Sequence, residues 1–237
     1  MDENKFTESI SKWYDRIIQA GYYKNNARIA DTLAKILENR KKILEIGIGT
    51  GLIAEQLIAK VYDVSGFDFT KTMLEIARER LGKNVKLYEQ NVLELELPET
   101  YEAAFSQGGL WYATKEKDGR IFLESSITDL RQNILGLKKL AKHLVQNGLL
   151  IIGIQAAHAN IDGLQLRGGA TYSQKVKYHL PYIDKEYFVT QNGKRVAYQQ
   201  FTLRRFTNQE KQKLMKGGGF SEIRIDKTKQ FLIFKKI

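Results

Sequence analysis

Hydrophobic and polar positions alternate between two periods along this chain, and each switch marks an element. Residues 6–23 carry Trp13, Tyr14, Tyr22 and Tyr23 without the alternation of a strand. From about 26 to 38, Ala27, Ile29, Leu33 and Ile36 recur at helical spacing, which predicts an amphipathic helix. Strand-sized runs then alternate with helical ones. Strands are expected at 42–45, 61–67, 84–88 and 102–106, and helices at about 53–60, after Thr70 as N-cap, and at about 125–146 with Gly148 as its stop. The helix after Thr70 should bury Met73, Leu74 and Ala77. The run 149–154 is apolar throughout, as befits a parallel strand covered on both faces. This β-α-β order predicts a Rossmann-like, doubly wound α/β sheet with ligands beyond the carboxyl ends of its strands.

After residue 163 the rhythm changes to strand-like alternation at 171–180, 185–191 and 194–203. Asn192-Gly193 between the last two is a strong hairpin signal. Thr207-x-x-Glu210 forms a capping box for one more helix, ended at Gly217-Gly218-Gly219. The strands at 221–225 and 230–234 are joined too briefly for a parallel crossover, so they must pair antiparallel. The expectation is one domain over 1–237, with a helical region at 1–40 and an antiparallel β insertion at 163–205. No repeat or Pro-rich linker divides it.

The segment with most chemistry is Glu45-Ile46-Gly47-Ile48-Gly49-Thr50-Gly51. A strand that runs into glycines and then a helix lets backbone approach a ligand that any Cβ would obstruct. The dinucleotide fingerprint is spaced G-x-G-x-x-G, whereas here the third glycine comes one residue early. Asp68 ends the second predicted strand about 20 residues on, the usual separation for an acid that binds ribose. An acceptor-only carboxylate can serve two hydroxyls at once. An acid favoured by the dipole of the following helix is the alternative.

The E-x-G-x-G-x-G form, with Val64 to Thr70 and then Met73-Leu74-x-x-Ala77, resembles the class I S-adenosylmethionine (SAM)-dependent methyltransferases, and the likeness runs over most of the chain. It implies SAM as cofactor, a seven-stranded sheet whose last strand is antiparallel, and a loop at Gly47, Ile48, Gly49 and Gly51 around the aminoacyl end of SAM. By the same resemblance, Asp68 takes the ribose hydroxyls and Glu45 orients the loop or the cofactor amine. Phe69 and Met73 flank the adenine, Asn91 and Val92 stand where the family has its adenine-binding acid, and Ser106 ends strand four. Asn91 replaces the usual Asp, which puts that one contact in doubt. The insertion is similar in placement to that of methyltransferases acting on sugar amines or glycine-type amines, where such strands cover the acceptor or form a dimer interface.

Tyr14 and Tyr22 are candidates for a lid over cofactor and acceptor; ordinary packing is the competing reading. Trp111 and Tyr112 follow strand four, where the family meets donor and acceptor, or else they plug the core. His158 is the best-placed general base, since an imidazole takes a proton near neutral pH. Tyr172 and His179 are further acceptor-site candidates, and Tyr178, Tyr182, Arg204 and Arg205 could line the same place. His143, among Lys138, Lys139 and Lys142, should be exposed.

Composition changes this picture little. The net charge of +11 admits a nucleic-acid partner, but the lysines are spread and no arginine-rich run or aromatic–basic stripe stands out. The absence of Cys removes disulfides, thiolate-bound zinc and a cysteine nucleophile, and it fits a reducing compartment. No metal cluster is evident, which tilts the acceptor toward nitrogen. A polar start and no membrane-length apolar run suggest a cytoplasmic protein away from membranes. The reading is therefore methyl transfer to a nitrogen, or an oxygen, of a small molecule. Its alternatives are a nucleic-acid methyltransferase and, on a related fold, a nicotinamide-dependent oxidoreductase.

Overall fold

In a computed structural model, residues 7–22 and 26–237 are described, with the backbone alone for Tyr22. The chain begins with two short helices, α1 (Glu8–Ser11) and α2 (Tyr14–Ile17), continued by a π-helical turn at Ile18–Tyr22. Helix α3 spans Asn26–Leu37, as its periodicity predicts. The α/β unit follows: β1 (Lys42–Ile46), α4 (Leu52–Ile58), β2 (Asp63–Asp68), α5 (Lys71–Leu81), β3 (Leu87–Glu89) and β4 (Tyr101–Ser106). Two strands absent from the sequence expectation come next, β5 (Trp111–Lys115) and β6 (Ile121–Ser125), then α6 (Leu130–Lys142) and β7 (Leu144–Ala156). The remaining elements are β8 (Ile161–Leu166), β9 (Ala170–His179), β10 (Tyr182–Gln191), β11 (Lys194–Phe206), α7 (Asn208–Gly217), β12 (Phe220–Ile225) and β13 (Phe231–Lys236).

Seven strands form the expected sheet in the order β3-β2-β1-β4-β7-β13-β12, with β13 antiparallel to both neighbours. Successive residues of one strand feed opposite faces. Ile43 joins Leu33, Leu37, Ile53 and Leu57 of α3 and α4, while Leu44 joins Leu137, Leu140 and Leu214 of α6 and α7. Burial on both faces explains why the β1 and β7 sequences are apolar throughout. The carboxyl end of β7 then pairs with β5, and a continuous antiparallel ladder runs β5-β6-β11-β10-β9-β8. The insertion is thus an extension of the main sheet.

Several boundaries differ from expectation. The helix foreseen at 125–146 is only Leu130–Lys142. It is capped by Asp129, whose carboxylate accepts from the Gln132 N–H at 2.8 Å. Its tail is strand instead, because Leu144 pairs with Tyr101. Gly148 lies inside β7, where a Cβ would come within 2.9 Å of the Val145 carbonyl. Thr70 precedes α5 as expected but makes no side-chain cap bond. His143 is half-buried, accepting from the Leu97 N–H at 3.3 Å. The Asn192-Gly193 turn has positive φ at both residues, as a type I′ hairpin requires, and the Thr207–Glu210 capping box is formed in both directions.

Candidate active site

At the carboxyl edge of β1 and β2, Gly47, Gly49 and Gly51 all take positive φ, a region costly for residues with a Cβ. They serve different ends. A Cβ on Gly49 would project into open space, and one on Gly47 would press on Gly109 Cα at 3.2 Å. A Cβ on Gly51 would strike Leu81 at 2.8 Å, so this glycine lets α4 and α5 approach. Asp68 closes the loop: one carboxylate oxygen accepts from the Gly49 N–H at 3.0 Å, the other from the Thr70 N–H at 2.8 Å. Each oxygen keeps acceptor capacity for a ligand hydroxyl. Burial pushes the Asp68 carboxyl above its ordinary range, against the pull of these N–H donors.

A cavity of about 400 Å³ opens over this loop. Gly47, Gly49, Asp68, Phe69, Met73, Asn91 and Val92, all expected at the cofactor, line it together. Asn91 also caps the short turn that follows, its side-chain oxygen accepting from the Leu93 N–H at 3.0 Å. Four residues expected at the cofactor do not line this cavity. The side chain of Ile48 turns into the core, where a Cβ on Gly66 would touch it. Gly51 acts in helix packing. Ser106 is fully buried beneath the turn at Gly109 and does not reach the cavity. Glu45 also lies outside the lining. Burial holds its carboxyl well above the usual range, an α4 backbone N–H at Ala54 opposes that rise, and one of its oxygens has no hydrogen-bond partner.

The far wall comes from outside the α/β unit. Ile10, Tyr14, Ile17 and Ile18 line the cavity from the N-terminal segment, and Tyr172, Lys185, Tyr187, Phe201 and Leu203 from the insertion. Tyr112 joins them from β5, but its neighbour Trp111 does not. Trp111 is fully buried with its indole N–H on Asn133 at 2.7 Å, so the plug reading holds for it. The side chain of Tyr22 lies outside the described residues. His179 is also displaced from expectation: it is exposed beside the turn between β9 and β10 and bonded to Asp184 at 2.7 Å. Tyr178, Tyr182, Arg204 and Arg205 do not line the cavity either; Arg204, for example, is tied to Thr128 and Glu210.

His158 proves buried behind the wall instead of facing the cavity. Its Nε2 sits 2.8 Å from a Glu124 oxygen and 3.1 Å from the Tyr112 hydroxyl, and its Nδ1 is 3.1 Å from Lys185 Nζ. Glu124 is fully buried and also accepts from Thr114 at 2.7 Å and Arg205 at 2.9 Å. Burial would raise its carboxyl, but these partners, His158 foremost, hold it below the ordinary range. Burial and the nearby Lys185 lower the imidazole, against the pull of Glu124. Lys185 is 3% exposed, and burial brings its pKa down to about 7. Sequence reasoning missed Lys185. The available signal was a lysine in register with Ile183, Tyr187 and Val189, at an inward position of an alternating strand.

The cavity suits SAM on physical grounds. Gly49 leaves a space that a Cβ would fill, Asp68 offers acceptors to vicinal hydroxyls, and aromatic faces suit a sulfonium. Among the described residues no cluster of His, Asp or Glu could hold a metal ion, and no helix is long and apolar enough to cross a membrane.

Residues 43–132 match the family described as a methyltransferase domain. Over 133 residues the chain is 29% identical to the malonyl-[acyl-carrier protein] O-methyltransferase of Bacillus anthracis, covering 52% of this chain and 43% of that protein. It thus spans less than half the length of this curated relative. The CcbJ methyltransferase of Streptomyces caelestis superposes with a TM-score of 0.76 at 18% identity, covering 100% of this chain and 99% of that one. CalS10, an amino pentose methyltransferase from Micromonospora echinaspora solved with SAM, gives 0.68 at 15% identity, covering 96% and 97%. The match over 43–132 marks that segment as a methyltransferase domain, and the strand order and the superpositions give the chain as a whole the fold of these methyltransferase structures.

Proposed function

We propose that this protein transfers a methyl group from SAM to the nitrogen of a small amine-bearing acceptor, with an amino sugar as the favoured class. One observation carries the reading: a single cavity joins the Gly47–Asp68 edge of the sheet to a chamber walled by Tyr172, Tyr187, Phe201 and Leu203. When bound, SAM supplies a methyl carbon activated by its sulfonium. The chain's own work is then to align an acceptor in line with that carbon and to exclude water. In this reading Asp68 and the glycine loop hold the nucleoside end, and the wall from β9–β11 holds the acceptor. Residues 10–18 form the lid, and Tyr14 on it faces the cofactor. The amino pentose named for CalS10, which shares the fold, supports an amino sugar, and so does the mixed apolar and hydroxyl-bearing wall.

Calorimetry with SAM and with NAD tests the cofactor, since SAM alone should bind. Incubation with SAM and a panel of amino sugars, read by mass spectrometry, should show a methyl gained on nitrogen. Binding of NAD in place of SAM, or methylation confined to hydroxyl-only acceptors, would refute the reading.

A further inference from the structure

We propose that Lys185 is the proton acceptor for the incoming amine, held in place by His158 and Glu124 as positioning residues; this rests on the methyltransferase reading above. The geometry is a chain of contacts that ends in the cavity. Arg205 meets Glu124 at 2.9 Å, Glu124 meets His158 Nε2 at 2.8 Å, and His158 Nδ1 meets Lys185 Nζ at 3.1 Å. With its proton on Nε2 facing the carboxylate, the imidazole turns the Nδ1 lone pair toward Lys185 and so fixes where that amine sits. Two cations this close and this buried repel, so His158 stays neutral when Lys185 is charged.

The surroundings of Lys185 keep it poised. The aromatic faces of Tyr187 and Phe201 lie 5.0 and 5.7 Å from Nζ and favour its cation, while burial favours the neutral amine. His158 is the ionisable group on Lys185 Nζ; Tyr112 and Tyr178 sit on that histidine, at Nε2 and at its carbonyl, with Glu124 and Arg205 behind. Apart from tyrosines, Asp68 and Lys185 are the only ionisable side chains among the described residues of the lining. Asp68 is engaged by the Gly49 and Thr70 N–H groups. No other carboxylate in the lining would hold an incoming ammonium in its protonated, unreactive form.

The step balances as follows. An acceptor entering as an ammonium gives one proton to neutral Lys185 and recovers its lone pair. That pair forms the nitrogen–carbon bond as the carbon–sulfur pair passes to sulfur, leaving S-adenosylhomocysteine. The methylated amine departs as an ammonium, and Lys185 returns its proton to water when the cavity opens. An ammonium beside the sulfonium and apolar walls is depressed as Lys185 is, so the transfer is between matched groups.

The test is carbon NMR of the full chain labelled at lysine Cε, titrated with S-adenosylhomocysteine bound and again with SAM bound. One lysine should titrate near 7, and its signal should vanish in Lys185→Met. The added positive charge of SAM should move that midpoint to lower pH than with the uncharged-sulfur product. Glu124→Gln, which removes a charge favouring the cation, should lower it as well. If that variant does not fold, the comparison of the two ligands on the unmutated protein still decides. The proposal is overturned if every lysine titrates above about 9, if the low midpoint survives in Lys185→Met, or if both ligands give the same midpoint. Calorimetry on the same samples separates the two ideas. Absent binding of either nucleoside defeats the methyltransferase reading, whereas binding with an unshifted lysine defeats only the role of Lys185.

Discussion

Apart from tyrosines, two ionisable side chains line this cavity among the described residues, and each is defined by what its neighbours leave available. Asp68 spends one lone pair per oxygen on a backbone N–H and keeps the remainder for ligand hydroxyls. Asp68→Ala should weaken SAM binding by about 1–3 kcal/mol, roughly 5- to 150-fold in Kd by calorimetry. Unchanged affinity in a folded variant would remove Asp68 from the site. Lys185 makes a prediction about stability. Native Lys185 binds its proton only below about 7, while in the unfolded chain it does so up to the ordinary lysine value of about 10.4. Between these limits the unfolded state holds more protons, so stability rises with pH across that window and levels off below about 7. The depression costs on the order of 1.4 kcal/mol per unit. Lys185→Met should therefore be more stable at pH 7 than the parent, and its stability should rise less from pH 7 to 9 in denaturant titrations. A parent whose stability does not rise over that interval would contradict the burial of this amine.

At the scale of elements, the turn after β4 governs how closely the glycine loop can approach it. A Cβ on Gly109 would lie 2.5 Å from the Ile46 carbonyl and 3.2 Å from that of Gly47, and backbone cannot move aside cheaply. Gly109→Ala should lower unfolding stability by about 1–3 kcal/mol, as overpacking does, and should weaken SAM binding by displacing Gly47. Gly49→Ala meets no atom, so only its left-handed backbone is strained, by roughly 1–2 kcal/mol. Thermal unfolding of both variants checks the difference.

The sequence displayed local devices well. The glycine spacing, the Asn192-Gly193 hairpin and the Thr207 capping box depend on residues a few positions apart, and Asp68 on its fixed distance of about 20 residues from the glycine loop. The two-sided burial of β1 and β7 shows in their unbroken apolar runs. What escaped detection depends on pairing across long separations. Strands β5 and β6 hide between β4 and α6, so Trp111 and Tyr112 read as a loop pair when they alternate between core and cavity. The Glu124–His158–Lys185 chain comes from β6, the link between β7 and β8, and β10, and only the packed ladder brings its members within hydrogen-bond reach. His158 was legible as a polar residue past the apolar run of β7, but its neighbours decide that it supports the wall from behind.

Over the whole molecule, one continuous sheet is used twice. Its parallel half presents the glycine loop and Asp68. Its antiparallel half, with residues 10–18, covers them with apolar and aromatic surface that carries Lys185. The net charge of +11 lies mainly outside this cavity, whose lining holds one carboxylate and one amine. A crystal structure with S-adenosylhomocysteine bound tests this arrangement most directly. It should show both ribose hydroxyls on Asp68, the amino-acid end at Gly47 to Gly49, and the sulfur facing the chamber that contains Lys185. A nucleoside bound elsewhere, or a sulfur turned away from that chamber, would contradict it.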